Sequence, residues 1–276
     1  MTTATPIPAR DITVRRPGID HEQPLPKHFV AGDPMRSHIA AMLSSVFPEG
    51  EDFFVRSVRA YRDRIEDPEL AKQVKGFIGQ EAIHGREHRD FNEQLAELGY
   101  PTLAVDGIIK RFLAFLNKTT PKSHQLAVTA ALEHYTATLA EALLRDDDAR
   151  AEFATDEVRA LFTWHALEET EHKSVAFDVY EEVSGNYVER VATMFAVHVA
   201  FLGIMTSAVT VSVAKDRSAW RKLPKSILGL RTHPFFQRDV ISRLLDYNRK
   251  GFHPDDHDTV ELLEEWRTRY EAGIAA

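Results

Sequence analysis

The chain has 276 residues, a hydrophobic fraction of 43% and a formal charge of −8, which allow one large domain or two small ones with a sizeable core. It has no cysteine, so disulfides, thiolate ligands and cysteine nucleophiles are excluded, and any metal must be held by His and carboxylates. No basic tract of the kind that binds phosphates is evident, so we expect no nucleic-acid partner.

Residues 1–32 are rich in Pro, Thr and charged side chains. We expect them to form an extended arm over the surface or to be disordered. The arm has no apolar segment of the kind found in secretory signals, so the expected location is the cytoplasm.

Paired Asp-Pro signals predict the first helices, because Asp caps a helix and Pro suits its first position. Asp33-Pro34 begins a helix that should stop at Phe47-Pro48, where a second helix carrying Glu51 begins. Asp67-Pro68 begins a long helix that ends at Gly99.

Helices also account for the middle of the chain. Residues 105–116 form an amphipathic pattern, and the next helix runs from Pro121 to Leu143 with small residues around Glu133. Thr155 should cap a helix that continues to Val183. Strand-like runs are almost absent, so the predicted class is all-α.

Residues 188–214 are nearly free of charge and long enough to cross a membrane. Since they also contain His198 and several Thr and Ser, we favour a helix packed on the bundle. Membrane-surface contact through residues 192–214, or an apolar surface for a homodimer, are the alternatives. Short helices follow at 235–247 and 259–270. We therefore divide one domain into an arm (1–32), a bundle (33–187) and packing helices (188–276).

Two Glu-x-x-His pairs lie on the predicted inner faces of separate helices, and a lone Glu precedes each pair. Residues i and i+3 of a helix point the same way, and this set is typical of the dinuclear site of ferritin-like four-helix bundles. One such pair alone is more often a solvated face. Six buried ionisable groups without metal would be costly, so we predict two ions. The six are Glu51, Glu81, His84, Glu133, Glu169 and His172.

Neighbouring polar residues have different expected roles. His165 shares the inner face of its helix and could be a seventh ligand. We expect His88 and Asp178 to lie behind the ligands and orient them. Glu168 and Glu171 point away from the inner stripe and should be solvated or paired with Lys or Arg.

The segments GQEAIHGREH, EETEHKSVAFDVY and GFHPDDHD resemble a bacterial family labelled "predicted metal-dependent hydrolase", a ferritin-like group, over most of the chain. The ligand order is also similar to that of the di-iron arylamine N-oxygenases, of the p-aminobenzoate N-oxygenase type, which have a His-x-x-x-Glu-x-x-His element. This second resemblance implies that Glu81 and Glu169 bridge the metals. It implies terminal ligands at Glu51, His84, Glu133, His165 and His172.

Three functions fit these features. The first is an O2-activating di-iron oxidase or oxygenase on a small, fairly apolar substrate, with two Fe ions, or Mn or mixed Mn/Fe, and Zn less expected. The second is a two-metal hydrolase, although no Lys or Arg cluster for an anionic substrate lies near the motifs. The third is a non-catalytic metal-binding bundle.

Overall fold

The structure is a computed structural model that describes residues 10–273. Residues 1–9 of the predicted arm therefore lie outside the described range. The described residues are 75% helical and contain no strand, only an isolated bridge between Val30 and Phe153. The all-α prediction is thus confirmed.

The described residues form eleven α-helices. In chain order they are α1 (Pro34–Arg59), α2 (Pro68–Glu97), α3 (Thr102–Thr119), α4 (Lys122–Arg145), α5 (Asp147–Ala151), α6 (Asp156–His172), α7 (Val175–Val183), α8 (Tyr187–Lys215), α9 (Leu223–Gly229), α10 (Arg238–Asp246) and α11 (Val260–Glu271). The predicted caps are present, since Asp33 accepts from the Arg36 amide and Asp67 from the Leu70 amide. Gly99, with φ of 91°, follows α2 as predicted.

The predicted break at Pro48 is wrong, because α1 runs through it without interruption. A proline inside a helix leaves the carbonyl four residues earlier without its amide partner. Here that carbonyl belongs to Ser44, and the side-chain amide of Asn92 on α2 donates to it at 3.1 Å. Asn92 also accepts from the Ser44 hydroxyl at 2.8 Å. A side chain from the neighbouring helix therefore replaces the missing bond.

The predicted single helix from Thr155 to Val183 is divided in two. α6 ends at His172 and α7 begins at Val175. In the turn between them, Ser174 donates to Asp255 at 2.8 Å and Lys173 bonds to the carbonyl of His257. The C-terminal segment thus holds this turn.

Helix α1 packs against α2, α3, α4 and α8, and α4 packs against α6, α7 and α8. The core between them contains fully buried large side chains, among them Phe53, Phe77, Leu126 and Leu161. Helices α1, α2, α4 and α6 thereby bring one face each to a common interior.

Helix α8 packs on α1 and α4 along one side only. It is the one helix in the described residues with the length and composition to cross a membrane, yet only 17% of its most apolar stretch is buried. Phe195 and Leu202 are 69% and 59% exposed. We expected α8 to be buried against the bundle. One side of α8 does pack on it, whereas the opposite side is exposed to solvent.

Candidate metal centre

The structure brings all seven predicted ligands into one buried cluster. None is more than 4% exposed. α1 contributes one, α2 two, α4 one and α6 three, and these residues are Glu51, Glu81, His84, Glu133, His165, Glu169 and His172. Candidate ligands separated by more than a hundred residues in sequence therefore meet because four helices face the same interior.

One half of the cluster surrounds the inner nitrogen of His172. Its Nε2 lies 3.1 Å from Oε1 of Glu81 and 3.4 Å from Oε2 of Glu133. Oε2 of Glu169 is 3.5 Å away. Ligand atoms of Glu81, Glu133 and His172 lie within 4.8 Å of one another, close enough to share one ion.

The other half contains Glu51, His84 and His165, whose ligand atoms also lie within 4.8 Å of one another. Nε2 of His165 is 2.9 Å from Oε1 of Glu169 and 3.8 Å from Oε1 of Glu51. Glu169 therefore directs one oxygen to each half. Glu81 belongs to two of the groupings, one with His172 and one with His84. Both carboxylates therefore lie between the two halves of the cluster.

Nine atoms of this cluster are buried without a hydrogen-bond partner. They are both carboxylate oxygens of Glu51, Glu81 and Glu133, Oε2 of Glu169, Nδ1 of His84 and Nε2 of His172. Buried polar atoms are nearly always paired in native proteins, so a group of orphans needs an explanation. Two divalent cations would satisfy these atoms and balance the charge of four carboxylates. The donor set therefore fits metal ions.

The pKa values show that, without cations, burial makes the charged forms of most cluster carboxylates unfavourable. Burial, together with repulsion from the neighbouring carboxylates, raises the pKa of Glu51 and Glu81 well above the usual range and that of Glu133 to about 7. Burial alone would raise the pKa of Glu169, but His172 holds it well below its ordinary value. Burial alone would lower the pKa of His172, but Glu169 raises it well above. Protons thus occupy the cluster when cations do not.

Two of the three histidines have their outer nitrogen held by another side chain. Nε2 of His84 lies 3.0 Å from Oε2 of Glu168, and Nδ1 of His172 lies 2.8 Å from Oε1 of Gln80. When each outer nitrogen donates, the inner nitrogen keeps its lone pair and points into the cluster. This is how metal-binding histidines are commonly oriented.

A hydrogen-bond chain orients the ring of His165. The Ser44 hydroxyl donates to Asn92, so it must accept from Nδ1 of His88, which lies 2.9 Å away. Burial lowers the pKa of His88, so the ring is neutral and its Nε2 accepts from Nδ1 of His165 at 2.6 Å. With Nδ1 donating to His88, Nε2 is the nitrogen of His165 that faces Glu169 and could bind an ion. The predicted orienting residue His88 therefore contacts a candidate ligand directly.

Arg15 of the N-terminal arm supports the cluster from behind. Its backbone amide donates to Glu168 at 3.0 Å, and its guanidinium donates to Glu171 at 2.7 and 2.8 Å. Gln80 also donates to Glu171, at 2.9 Å. We expected Glu168 and Glu171 to be either solvated or paired with Lys or Arg. Both pair with Arg15, and both are buried, so the second alternative holds. No local pattern in the sequence points to Gln80 or Arg15, since both act across long sequence separations.

Asp178 lies in a different network. It accepts from Arg10 at 3.2 Å and is 2.7 Å from Nε2 of His253. Within the described part of the chain, none of its hydrogen bonds reaches a predicted ligand. It holds the arm and the C-terminal turn together instead.

An apolar cavity of about 230 Å³ reaches the cluster from one side. Its walls come mainly from α1, α3, α4, α6 and α8, and the cluster residues that line it are Glu51, His165 and Glu169. Among the described residues, no Lys or Arg lines it. The cavity therefore suits a neutral, apolar group and gives it access to the half of the cluster that holds His165.

Residues 13–258 match the family described as "Predicted metal-dependent hydrolase", and the chain belongs to this family. No curated protein and no solved structure matches the chain. The O2-activating oxidase or oxygenase that the sequence analysis ranked first is wrong, because the family description names the alternative, a metal-dependent hydrolase. The expected resemblance to the N-oxygenases had favoured the wrong function, and function cannot be taken from a ligand pattern alone.

Proposed function

We propose that this member of the metal-dependent hydrolase family cleaves an ester or amide bond next to an apolar group, at a dinuclear centre. The observation that carries the proposal is the set of nine buried, unpartnered ligand atoms beside an apolar cavity. Metal ions held there would lower the pKa of a water molecule and polarise the scissile carbonyl.

The ligand arrangement favours two ions in a ferritin-like four-helix frame. α1 and α4 supply one Glu each, and α2 and α6 supply one Glu-x-x-His pair each, which is the order known for such bundles. Glu81 and Glu169 would bridge. Carboxylate and imidazole ligands without thiolates favour iron, manganese or zinc over metals that prefer softer ligands.

The residues of the chain have separable tasks. The apolar walls would bind the substrate's hydrocarbon part and keep bulk water away from the reacting bond. One carboxylate oxygen of Glu51, which lines the cavity, would bind an ion, and the other would take the proton of the attacking water and pass it to the leaving alcohol or amine. The hydrogen bonds that link His165 to His88 and His88 to Ser44 would hold the His165 imidazole in one orientation during the reaction.

Cavity size and charge limit the substrate. A cavity of about 150 Å³ accepts benzene, so about 230 Å³ accommodates a group of roughly nine carbons. With no Lys or Arg among the described lining residues, a phosphate or carboxylate would have no counter-charge. Neutral esters or amides of medium-chain or aromatic acids fit best.

The test combines metal analysis with hydrolysis of p-nitrophenyl esters of increasing acyl length. We expect two ions per chain, metal-dependent hydrolysis and a preference for medium-length acyl groups. Glu169→Ala should lose both metal and activity, whereas Glu93→Ala, at an exposed position on α2, should keep both. Full metal occupancy without hydrolysis of esters or amides would contradict catalysis and favour the non-catalytic bundle.

A further inference from the structure

Helix α8 presents an apolar face to solvent. Between residues 191 and 214 it has no Asp, Glu, Lys or Arg. Phe195, Val199 and Leu202 are 69%, 61% and 59% exposed, and their spacing of four and three residues places them on one side of the helix. A core helix of this composition would be mostly buried, so this apolar surface indicates an interaction site.

The segment that follows is basic although the whole chain is acidic, so the expectation that no basic tract is present was wrong for this segment. Residues 215–231 contain six Lys and Arg and one Asp. The six cations are all exposed, and in the described structure none of them forms an ion pair; they are Lys215, Arg217, Arg221, Lys222, Lys225 and Arg231. Asp216 is buried and already contacts Lys27, His28 and His38, so the positive charge of the segment is not neutralised locally.

Large apolar side chains alternate with these cations. Trp220, Ile227 and Leu228 are each more than half exposed. Exposed Trp and aliphatic side chains among Lys and Arg are the composition of a membrane–water interface. Interfaces between proteins are instead depleted in Lys, and three of the six cations here are Lys. The composition therefore favours an anionic lipid surface over a second copy of the chain.

Contacts with the bundle decide how α8 meets such a surface. Met194 and Val197 are buried on the inner side, and Ser212 lies 2.7 Å from Nδ1 of His38 on α1. Because one side of α8 packs against the bundle, lipid cannot surround the helix. It can lie in the interface plane with its free side inserted by about 5–10 Å.

We propose that the outward side of α8 and the basic segment 215–231 form a docking surface for an anionic lipid bilayer. Ala200 and Ile204, on the inner side of α8, line the cavity beside the metal cluster. One helix diameter, about 10 Å, therefore separates this cavity from the lipid-facing surface. The proposal stands on the exposed surface alone and does not depend on the reaction catalysed.

The test is co-sedimentation of the full-length, metal-loaded protein with phosphatidylcholine vesicles, with and without phosphatidylglycerol. We expect binding that requires phosphatidylglycerol and weakens with salt. Lys222→Gln with Lys225→Gln should reduce partitioning roughly 30-fold, because each Lys near an anionic leaflet contributes about fivefold. Leu202→Glu should abolish it. Lys72→Gln with Lys75→Gln, exposed on α2, is the charge-matched control and should bind like the unchanged protein.

Three results would overturn the proposal. The first is no binding to phosphatidylglycerol vesicles, and the second is an equal loss of binding in the control pair. The third is a homodimer in sedimentation velocity that Leu202→Glu dissociates, together with no binding of the protein to either kind of vesicle. That result would assign the face to a second copy. The Lys variants change only exposed side chains, so they remain informative if Leu202→Glu fails to fold.

Discussion

Nε2 of His88 lies 2.6 Å from Nδ1 of His165, and this contact leaves the opposite nitrogen of His165 free to face the carboxylates. His88 is itself fixed by the Ser44 hydroxyl. The orientation of a candidate ligand on α6 thus depends on two residues of α1 and α2.

Replacing His88 by Ala should therefore weaken metal binding without removing a ligand. Partners that orient metal-bound histidines typically contribute 10–100-fold in affinity, and we expect a loss of that size. Competition with a chelator of known affinity measures it. His124→Ala, on the partly exposed start of α4, is the control and should change nothing. An unchanged affinity in the His88 variant would mean that His88 does not orient a metal ligand.

Asn92 should matter for stability because Pro48 lies inside α1. Asn92→Ala leaves the buried Ser44 carbonyl without a donor, and we expect a loss of about 1–3 kcal/mol in the free energy of unfolding. In a Pro48→Ala background the backbone amide at position 48 can bond to that carbonyl, so the cost of Asn92→Ala should fall. Urea unfolding of the four proteins forms a double-mutant cycle. Equal costs in both backgrounds would contradict the compensation.

The metal-free protein should become less stable as pH rises through the range in which Glu133 ionises. Its pKa is raised from 4.5 to about 7 in the fold, mainly by burial, so the folded state holds its proton more tightly than the unfolded state. The resulting penalty is absent below pH 4.5, grows with pH, and is complete above about 7.

Glu133→Gln removes this penalty. In the absence of metal, the Glu133→Gln variant should have a higher free energy of unfolding than the unchanged protein. The difference should grow between pH 4.5 and about 7 and reach about 3 kcal/mol at most. Chemical denaturation at a series of pH values, in the presence of a chelator, provides the measurement. When metal is supplied, the variant should instead be less stable than the unchanged protein, because it lacks one candidate ligand. A gain that is independent of pH would refute the ionisation argument.

Arg15 should be required for stability although it lies in the arm. Arg15→Ala leaves Glu168 and Glu171 buried without their main cation, and breaking such a pair costs about 3–5 kcal/mol. Arg267 still contacts Glu171 and should reduce the loss. The adjacent Arg16 is exposed, so Arg16→Ala is the matched control. Thermal unfolding compares the two, and similar midpoints would show that the arm does not stabilise the cluster.

Filling the cavity should change substrate preference without removing metal. Ala200 lines the cavity on α8, so Ala200→Phe shortens the space for the apolar group. The preferred acyl length should fall while the metal content stays the same. Ala192→Phe, exposed on the same helix, should leave the preference unchanged. Ester hydrolysis across a series of chain lengths provides the readout, and an unaltered preference would exclude the cavity as the substrate site.

Part of this molecule could be predicted from sequence because the signals are local. Asp33-Pro34 and Asp67-Pro68 begin helices through contacts within a few residues. The spacing of Glu81 and His84 places both on one helix face whatever the rest of the chain does. The all-α class, the starts of several helices and the inward position of the candidate ligands follow from such short-range rules.

Long-range contacts decided the rest. Pro48 is a helix breaker by local rules, but Asn92 supplies the missing donor from another helix. Glu168 lies beside the inner stripe of α6 and would be solvated in an isolated helix, but Arg15, 153 residues away, allows it to be buried.

The sequence by itself determined that the helices form and which residues each one turns inward. Hydrogen bonding within a helix and side-chain periodicity depend only on near neighbours. Only the tertiary structure decided which outer atoms hold the histidines, where the cavity reaches the cluster, and that α8 keeps an exposed apolar side. Those features depend on which surfaces meet when the helices pack, and an apolar helix has the same composition whether protein or lipid covers it.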